Sequence, residues 1–430
     1  MKDIGVGVIG TGFMGKAHSI AYSGSASVFG TGLRPKLEIV CDLSPERASQ
    51  RATDLGFSRY TANWQEVVYD PNVKLVSVCT PNDTHAEIAI AALNEGKHVW
   101  CEKPMSSSLS DSKKMLDAFK DSTAKTIIGY NYTKNPAVIH ARELIKNGTI
   151  GRVAAFFCRY DVDNEADESK NWSWRMSRKA SGTGANGDIL SHVISVAHYL
   201  VDSEICRVAG DINIVHTERY DEKEKMKKKV DNDDIISALI HFKNGVKGHI
   251  GASRVSWGKK CGFTWEIHGT KGTICFDQER LNELKVFTRQ EQSSTDGFRT
   301  ILTGPEHPFY ASFLPNGGHS LGFMDVKMCE LQTLLFAIEH DTSTWPDFVA
   351  GYYIEKVMEA IDLSATEGLW KKISYAPFHI SKPDNLTGFP DLADLPAASA
   401  IKREFKPSTP VGLGWVPLAK DSTKAIISIL

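Results

Sequence analysis

No stretch of this sequence is apolar for long enough to cross a bilayer. A charged and apolar leader is missing as well, because a strand-like run, Ile4 to Ile9, begins almost at Met1. Both absences lead us to expect a cytoplasmic chain with no membrane partner. Neither sign of charge is in excess: 50 Lys and Arg stand against 52 Asp and Glu, a formal net charge of -2. Nucleic acid and anionic membranes therefore find no electrostatic footprint. The one basic run, Lys223 to Lys229, is interrupted by Glu224 and followed by Asp231, Asp233 and Asp234, as expected of a solvated hairpin loop. Paired cysteine spacings are lacking too. The 8 cysteines lie far apart, several inside apolar runs, so reduced core thiols are expected and a metal site is not. A small molecule is the partner that these absences leave.

What is present is an ordinary globular composition, 42% hydrophobic and 24% charged over 430 residues, enough for two cores and an additional piece. Up to about residue 130, short apolar runs alternate with helical patterns. The runs are Ile4 to Ile9, Leu37 to Cys41, Leu75 to Thr80, His98 to Cys101 and Thr126 to Tyr130; His85 to Glu95 and Ser110 to Lys120 read as helices. That order predicts an α/β domain over 1–130 with a doubly wound parallel sheet of the Rossmann kind. Beyond Gly151 the runs lengthen and alternate, as in Ile235 to Phe242 and Val246 to Ser253 across Lys243-Asn244-Gly245, then Phe263 to His268 and Thr273 to Asp277. An α+β domain with an open antiparallel sheet is expected over 131–375, closed by a helix from Val349 to Glu367. Prolines from Pro377 to Pro417 break any regular element, so 376–430 reads as an extended tail.

Gly10-Thr11-Gly12-Phe13-Met14-Gly15 follows the first strand and opens a helix, the setting that makes a glycine pattern a dinucleotide site. Gly10 allows a tight turn, Gly12 lets backbone approach a pyrophosphate, and Gly15 lets helix and strand pack closely. Asp42, ending the second strand, would bind the adenosine ribose and repel a phosphate there, favouring NAD over NADP; a mere turn residue before Ser44-Pro45 is the alternative. The interval from Gly15 to Asp42 is long, and Ser23 to Lys36 is read as an insertion ahead of the strand.

Asp188 and His192 are four apart in an otherwise apolar segment, so a helix sets them on one face, with Ser195 and Tyr199 continuing the stripe. The alternative is that Asp188 caps the helix after Gly182, Gly184 and Gly187 and that His192 is a bonded core residue. Lys103 follows another strand and precedes a proline that would fix its turn, in cis or trans.

Gly7 to Gly15, Cys79-Thr80-Pro81-Asn82 with His85, Glu102-Lys103-Pro104, Gly129-Tyr130-Asn131, Gly148 to Gly151, Asp188 with His192, and Pro346-Asp347-Phe348 occur together in this order. The sequence thereby resembles the glucose-fructose oxidoreductase and inositol dehydrogenase family (Gfo/Idh/MocA), over about residues 4 to 375. The resemblance implies NAD between two domains, with Phe13, Met14, Thr80, Pro81, Asn82, His85 and Glu102 along the cofactor cleft and Asn131 near the nicotinamide. It implies that Lys103, Asp188 and His192 meet at the substrate, and that members pair as dimers or tetramers through the exposed sheet face. Two departures stand out: Ser195 occupies a position where the family often has aspartate, and the tail has no counterpart.

The chemistry expected is oxidation of a secondary ring hydroxyl of a sugar, anhydrosugar, glycoside or inositol. His192 would be the base, Lys103 would stabilise the developing alkoxide, and Asp188 would orient the imidazole or bind a neighbouring hydroxyl. Trp172-Ser173-Trp174-Arg175 could offer a sugar ring an apolar face or could simply pack as a cluster; Tyr132, Arg175 and His319 are further substrate candidates. Two other readings remain open: NAD-assisted glycoside cleavage on the same site, and a dinucleotide-binding regulator without catalysis.

Overall fold

The computed structural model describes residues 1–30, 32–289 and 293–374. The expected tail, 376–430, lies outside them. The first sheet has six parallel strands, in chain order Lys2–Ile9, Leu33–Cys41, Arg59–Thr61, Leu75–Val78, His98–Cys101 and Thr126–Ile128. Spatially they run 3-2-1-4-5-6. This is the doubly wound order, whose switch point lies between the first and fourth strands, beyond their carboxyl ends. The third strand had no recognised run of its own, since only Thr61 of its three residues is buried.

Ser23 to Lys36 is mostly regular structure. Helix Phe13–Phe29 runs through it to a left-handed Gly30, and Leu33 already begins the second strand. The small residues serve packing. A Cβ on Gly24 would stand 3.0 Å from the sulfur of Met328, while Ser23 and Ser25 return their hydroxyls to the carbonyls of Ser19 and Tyr22. Gly24 thus admits helix Phe323–His340, a late element that lies against the first helix.

The second sheet has nine strands in the spatial order Arg299–Leu302, Glu283–Thr288, Gly272–Asp277, Gly262–Gly269, Val153–Asp161, Lys247–Ser253, Ile235–Phe242, Ile205–Asn213 and Lys371–Lys372. It is antiparallel apart from one pair, since Lys247–Ser253 runs parallel to Val153–Asp161. Enough chain separates those two strands for the crossover that a parallel pair needs. Alternation is plain in Ile235–Phe242, where Ile236, Ala238, Ile240 and Phe242 face inward. Helices Ser191–Val201 and Phe348–Glu367 pack on the inner face. The other face carries a cavity of about 480 Å³ bordered by Phe157, Arg159, His249 and Glu266.

The basic run forms part of a two-stranded ribbon, Glu218–Asp221 with Met226–Lys229. All eight cysteines are free. Among the described residues no helix is long and apolar enough to cross a membrane.

Candidate active site

At the end of the first strand the three glycines take different tasks. Gly10 has φ +94°, and a Cβ there would meet the Cys79 carbonyl oxygen at 2.5 Å. On Gly15 it would fall 1.9 Å from the Gly10 oxygen, whereas on Gly12 it would meet nothing within 4 Å. The space over Gly12 faces the start of helix Phe13–Phe29, which has no side-chain cap and no acidic residue in its first turn. Its free N–H groups and positive dipole end suit a pyrophosphate.

Asp42 closes this cradle. Its carboxylate accepts from both the hydroxyl and the amide of Thr11, and Arg47 approaches it at 3.6 Å. Phe13 is exposed, its ring 5.7 Å from Phe323; Met14 is half-buried. Across the cleft, Thr80 receives a hydrogen bond from Thr84, exposed Pro81 leads on, and Asn82 donates to the Ser181 carbonyl at 3.0 Å. Asn131 is buried with its amide nitrogen unpartnered. The open space over Gly12, against the uncapped amides of helix Phe13–Phe29, fits the pyrophosphate of a dinucleotide, so the residues present suit NAD.

His85 does not open on the cleft. It is fully buried, with one ring nitrogen on the Pro104 carbonyl and the other on that of Thr80. Burial lowers its pKa against the pull of those carbonyls. It ties the Thr80–Asn82 loop to the turn that carries Lys103.

That turn contains a cis Lys103–Pro104 bond. Glu102 accepts from the Lys103 amide with one oxygen, and from His18 and Lys327 with the other, at 2.9 and 2.6 Å. Burial would raise the Glu102 pKa, but the Lys327 ammonium and the His18 hydrogen bond outweigh it and hold it well below the carboxylate range. Glu330 shares Lys327 at 2.6 Å and binds the Trp100 indole, yet burial pushes it up to about 7. Glu102 is therefore the stronger acid of the two.

The Lys103 ammonium reaches both the carbonyl and the carboxylate of Asp188, each at 2.6 Å. Asp188 lies in a π-helical turn, Asn186–Leu190, leading into helix Ser191–Val201. The wider turn turns its carbonyl as well as its side chain toward the lysine. Capping falls to another residue: Asp233 accepts from the amides of Gly184 and Asn186 at 2.8 and 2.6 Å. Nor does Asp188 orient the imidazole, since its carboxylate engages Lys103. Its side chain is 41% exposed to the cleft; desolvation would raise its pKa, but the Lys103 charge prevails and lowers it to about 2.

His192 is buried among Tyr132, Tyr130 and Tyr160, with ring centroids at 4.7, 5.5 and 6.1 Å. Burial first, and then the charge of Lys103, depress its pKa well below the usual imidazole value. Tyr132 shares its hydroxyl with Tyr160 at 2.9 Å, and both approach the Cys261 sulfur. Arg175 stacks on Trp174 at 4.5 Å and is near enough for its charge to act on Asp188. Trp172 belongs elsewhere, under Lys228 and bonded to the Lys229 carbonyl of the ribbon. Tyr199 stacks on Trp345, and exposed His319 is held by its carbonyl to Tyr310; no contact joins either to Lys103, Asp188 or His192.

The sequence alone does not mark Tyr160, Cys261, Lys327 and Glu330 as residues of the site. The last two carried a signal, charges three apart on the apolar face of a helical pattern; the first two carried none.

A cradle fit for a pyrophosphate, together with an ammonium–carboxylate pair and a neutral imidazole, is the equipment of an NAD-dependent oxidoreductase acting on CH–OH groups. Residues 4–130 match the oxidoreductase family with an NAD-binding Rossmann fold, and residues 138–275 match the GFO/IDH/MocA C-terminal domain. The chain belongs to the Gfo/Idh/MocA family. Levoglucosan dehydrogenase of Pseudarthrobacter phenanthrenivorans is 38% identical over 384 residues, covering 86% of this chain and 98% of that protein. A solved levoglucosan dehydrogenase in complex with NADH and levoglucosan superposes with a TM-score of 0.85 at 38% identity, covering 87% of this chain and 100% of the other. Myo-inositol 2-dehydrogenase of Thermotoga maritima is 27% identical over 290 residues, 67% of this chain and 78% of that protein.

Proposed function

We propose that this enzyme oxidises a secondary ring hydroxyl of a sugar, with an anhydrosugar such as levoglucosan the first candidate, to a ketone. The observation that carries this reading is the Lys103–Asp188 pair within electrostatic reach of His192. His192, neutral at working pH, takes the hydroxyl proton on Nε2. Lys103, held in place by Asp188, donates to the same oxygen and stabilises its developing charge. Tyr132, Trp174 and Arg175 border the ring. NAD, which the Gly10–Gly15 turn would hold by its pyrophosphate and Asn131 near its nicotinamide, would supply the hydride acceptor. NADP is disfavoured by Asp42. We assign residues 1–130 to cofactor and 131–375 to substrate, and a homodimer or homotetramer joined through the outer sheet face. The cytoplasm is the proposed location.

Purified protein offered levoglucosan, aldoses, inositols and glycosides with NAD, read for NADH absorbance and free sugar release together, tests the reading. NADH formed with levoglucosan or another free polyol supports it. Sugar release from glycosides without net NADH would move the reaction to glycoside cleavage, and inertness toward the whole panel with intact NAD binding would favour the regulator.

A further inference from the structure

Helix Ser191–Val201 carries three polar atoms sealed within the protein without a partner: Nε2 of His198 toward its end and, nearer the site, Nδ1 of His192 and Oγ of Ser195. The last two residues are three apart, so both lie on one side of the helix. The hydroxyl of Tyr130, whose ring stands edge-on to His192 at 5.5 Å, is sealed as well; its neighbour Ser191, which donates to the Gly187 carbonyl at 2.7 Å, is close enough to oppose the rise that burial gives the Tyr130 pKa. An orphaned buried group costs roughly 1–3 kcal/mol, and such groups gathered around one imidazole make a site polar enough to hold an ordered water. Of the two ring nitrogens only Nδ1 is sealed in this way.

We propose that Ser195 is a positioning residue for His192: with the Tyr130 hydroxyl it holds one internal water that accepts the Nδ1 proton, fixing the tautomer whose Nε2 lone pair faces the substrate. A neutral hydroxyl is suited to this place. The charged groups acting on the ring are Lys103, from the strand-end turn, Asp188, from the preceding turn, and Glu102 and Lys327, from the buried network; Tyr130, Tyr132 and Tyr160 surround it. A carboxylate at 195 would pull a proton onto the ring, whereas serine anchors it and leaves it neutral.

The inference rests on His192 being the base, but its first test needs no substrate. In the full-length enzyme with NADH, labelled with ¹⁵N-histidine and assigned through His192→Asn, the His192 ring is expected to be protonated on Nδ1 and bare on Nε2. Ser195→Ala should mix the tautomers and lower kcat about fivefold, the scale of one lost hydrogen bond, with the KM for NAD unchanged. Ser195→Thr should restore both. A wild-type ring protonated on Nε2, or a Ser195→Ala signal identical to wild type, would overturn the proposal. Tautomer mixing without any loss of rate would leave the positioning intact and remove His192 from the chemistry.

Discussion

Adding a side chain to Gly12 should separate cofactor binding from folding. Its Cβ would meet nothing within 4 Å in the protein, so Gly12→Val has no neighbour to displace. The residue already has negative φ, at -64° with extended ψ, so the backbone accepts valine. Unfolding free energy should stay within about 0.5 kcal/mol of wild type, as for a surface change. The added methyls would occupy the space where a pyrophosphate meets the free amides of helix Phe13–Phe29. One or two charge-assisted hydrogen bonds lost at about 1.5–3 kcal/mol together amount to a roughly 10- to 150-fold weaker Kd. Gly15→Ala is the control: its Cβ would fall 1.9 Å from the Gly10 oxygen. Forcing that contact should cost about 1–3 kcal/mol of stability before any ligand is added. Urea unfolding of the free proteins and NADH fluorescence titration give the two readings. NADH bound as tightly by Gly12→Val as by wild type would refute the cradle, and an unfolded Gly12→Val would refute the open space above it.

Four further expectations follow from the site. His192→Ala should lower kcat on the order of 100-fold with little change in NAD affinity, and Lys103→Arg should stay impaired because a planar fork cannot meet the Asp188 carbonyl and carboxylate as an ammonium does; single-turnover hydride transfer is the measure. The His192 pKa is depressed, so its neutral form persists as pH falls through 6.5 and is lost only below that, through the lower folded value; a kcat/KM profile breaking at 6.5 would contradict the burial argument. Asp42→Ala should narrow the preference for NAD over NADP by removing the repulsion and freeing Arg47, 3.6 Å away, while weakening NAD itself through the lost hold on Thr11; calorimetric titration of both coenzymes checks it, and equal wild-type affinities would sink the assignment.

The sequence by itself determined what short-range geometry can encode. Gly10, Gly12 and Gly15 were legible because a strand, a tight turn and a helix follow one another within a few residues; Gly10 by its positive φ and Gly15 by the nearby Gly10 oxygen answer that local path, whereas Gly12 leaves space that no protein atom fills. The four-residue spacing of Asp188 and His192 placed them together for the same reason, since one turn of helix connects them. Decisions that depended on distant chain were made only in the tertiary structure. Ser23 to Lys36 reads as inserted chain from its glycines and serines, yet Gly24 sits in a helix against Met328, because a small residue signals flexibility or close packing according to its neighbour. Asp188 serves Lys103 and leaves the helix cap to Asp233, a choice set by which cation and which amides the fold brings within hydrogen-bond reach. The depressed imidazole of His192 and the opposite fates of Glu102 and Glu330 are likewise tertiary, since desolvation and the sharing of the Lys327 charge exist only once the two sheets have closed around them.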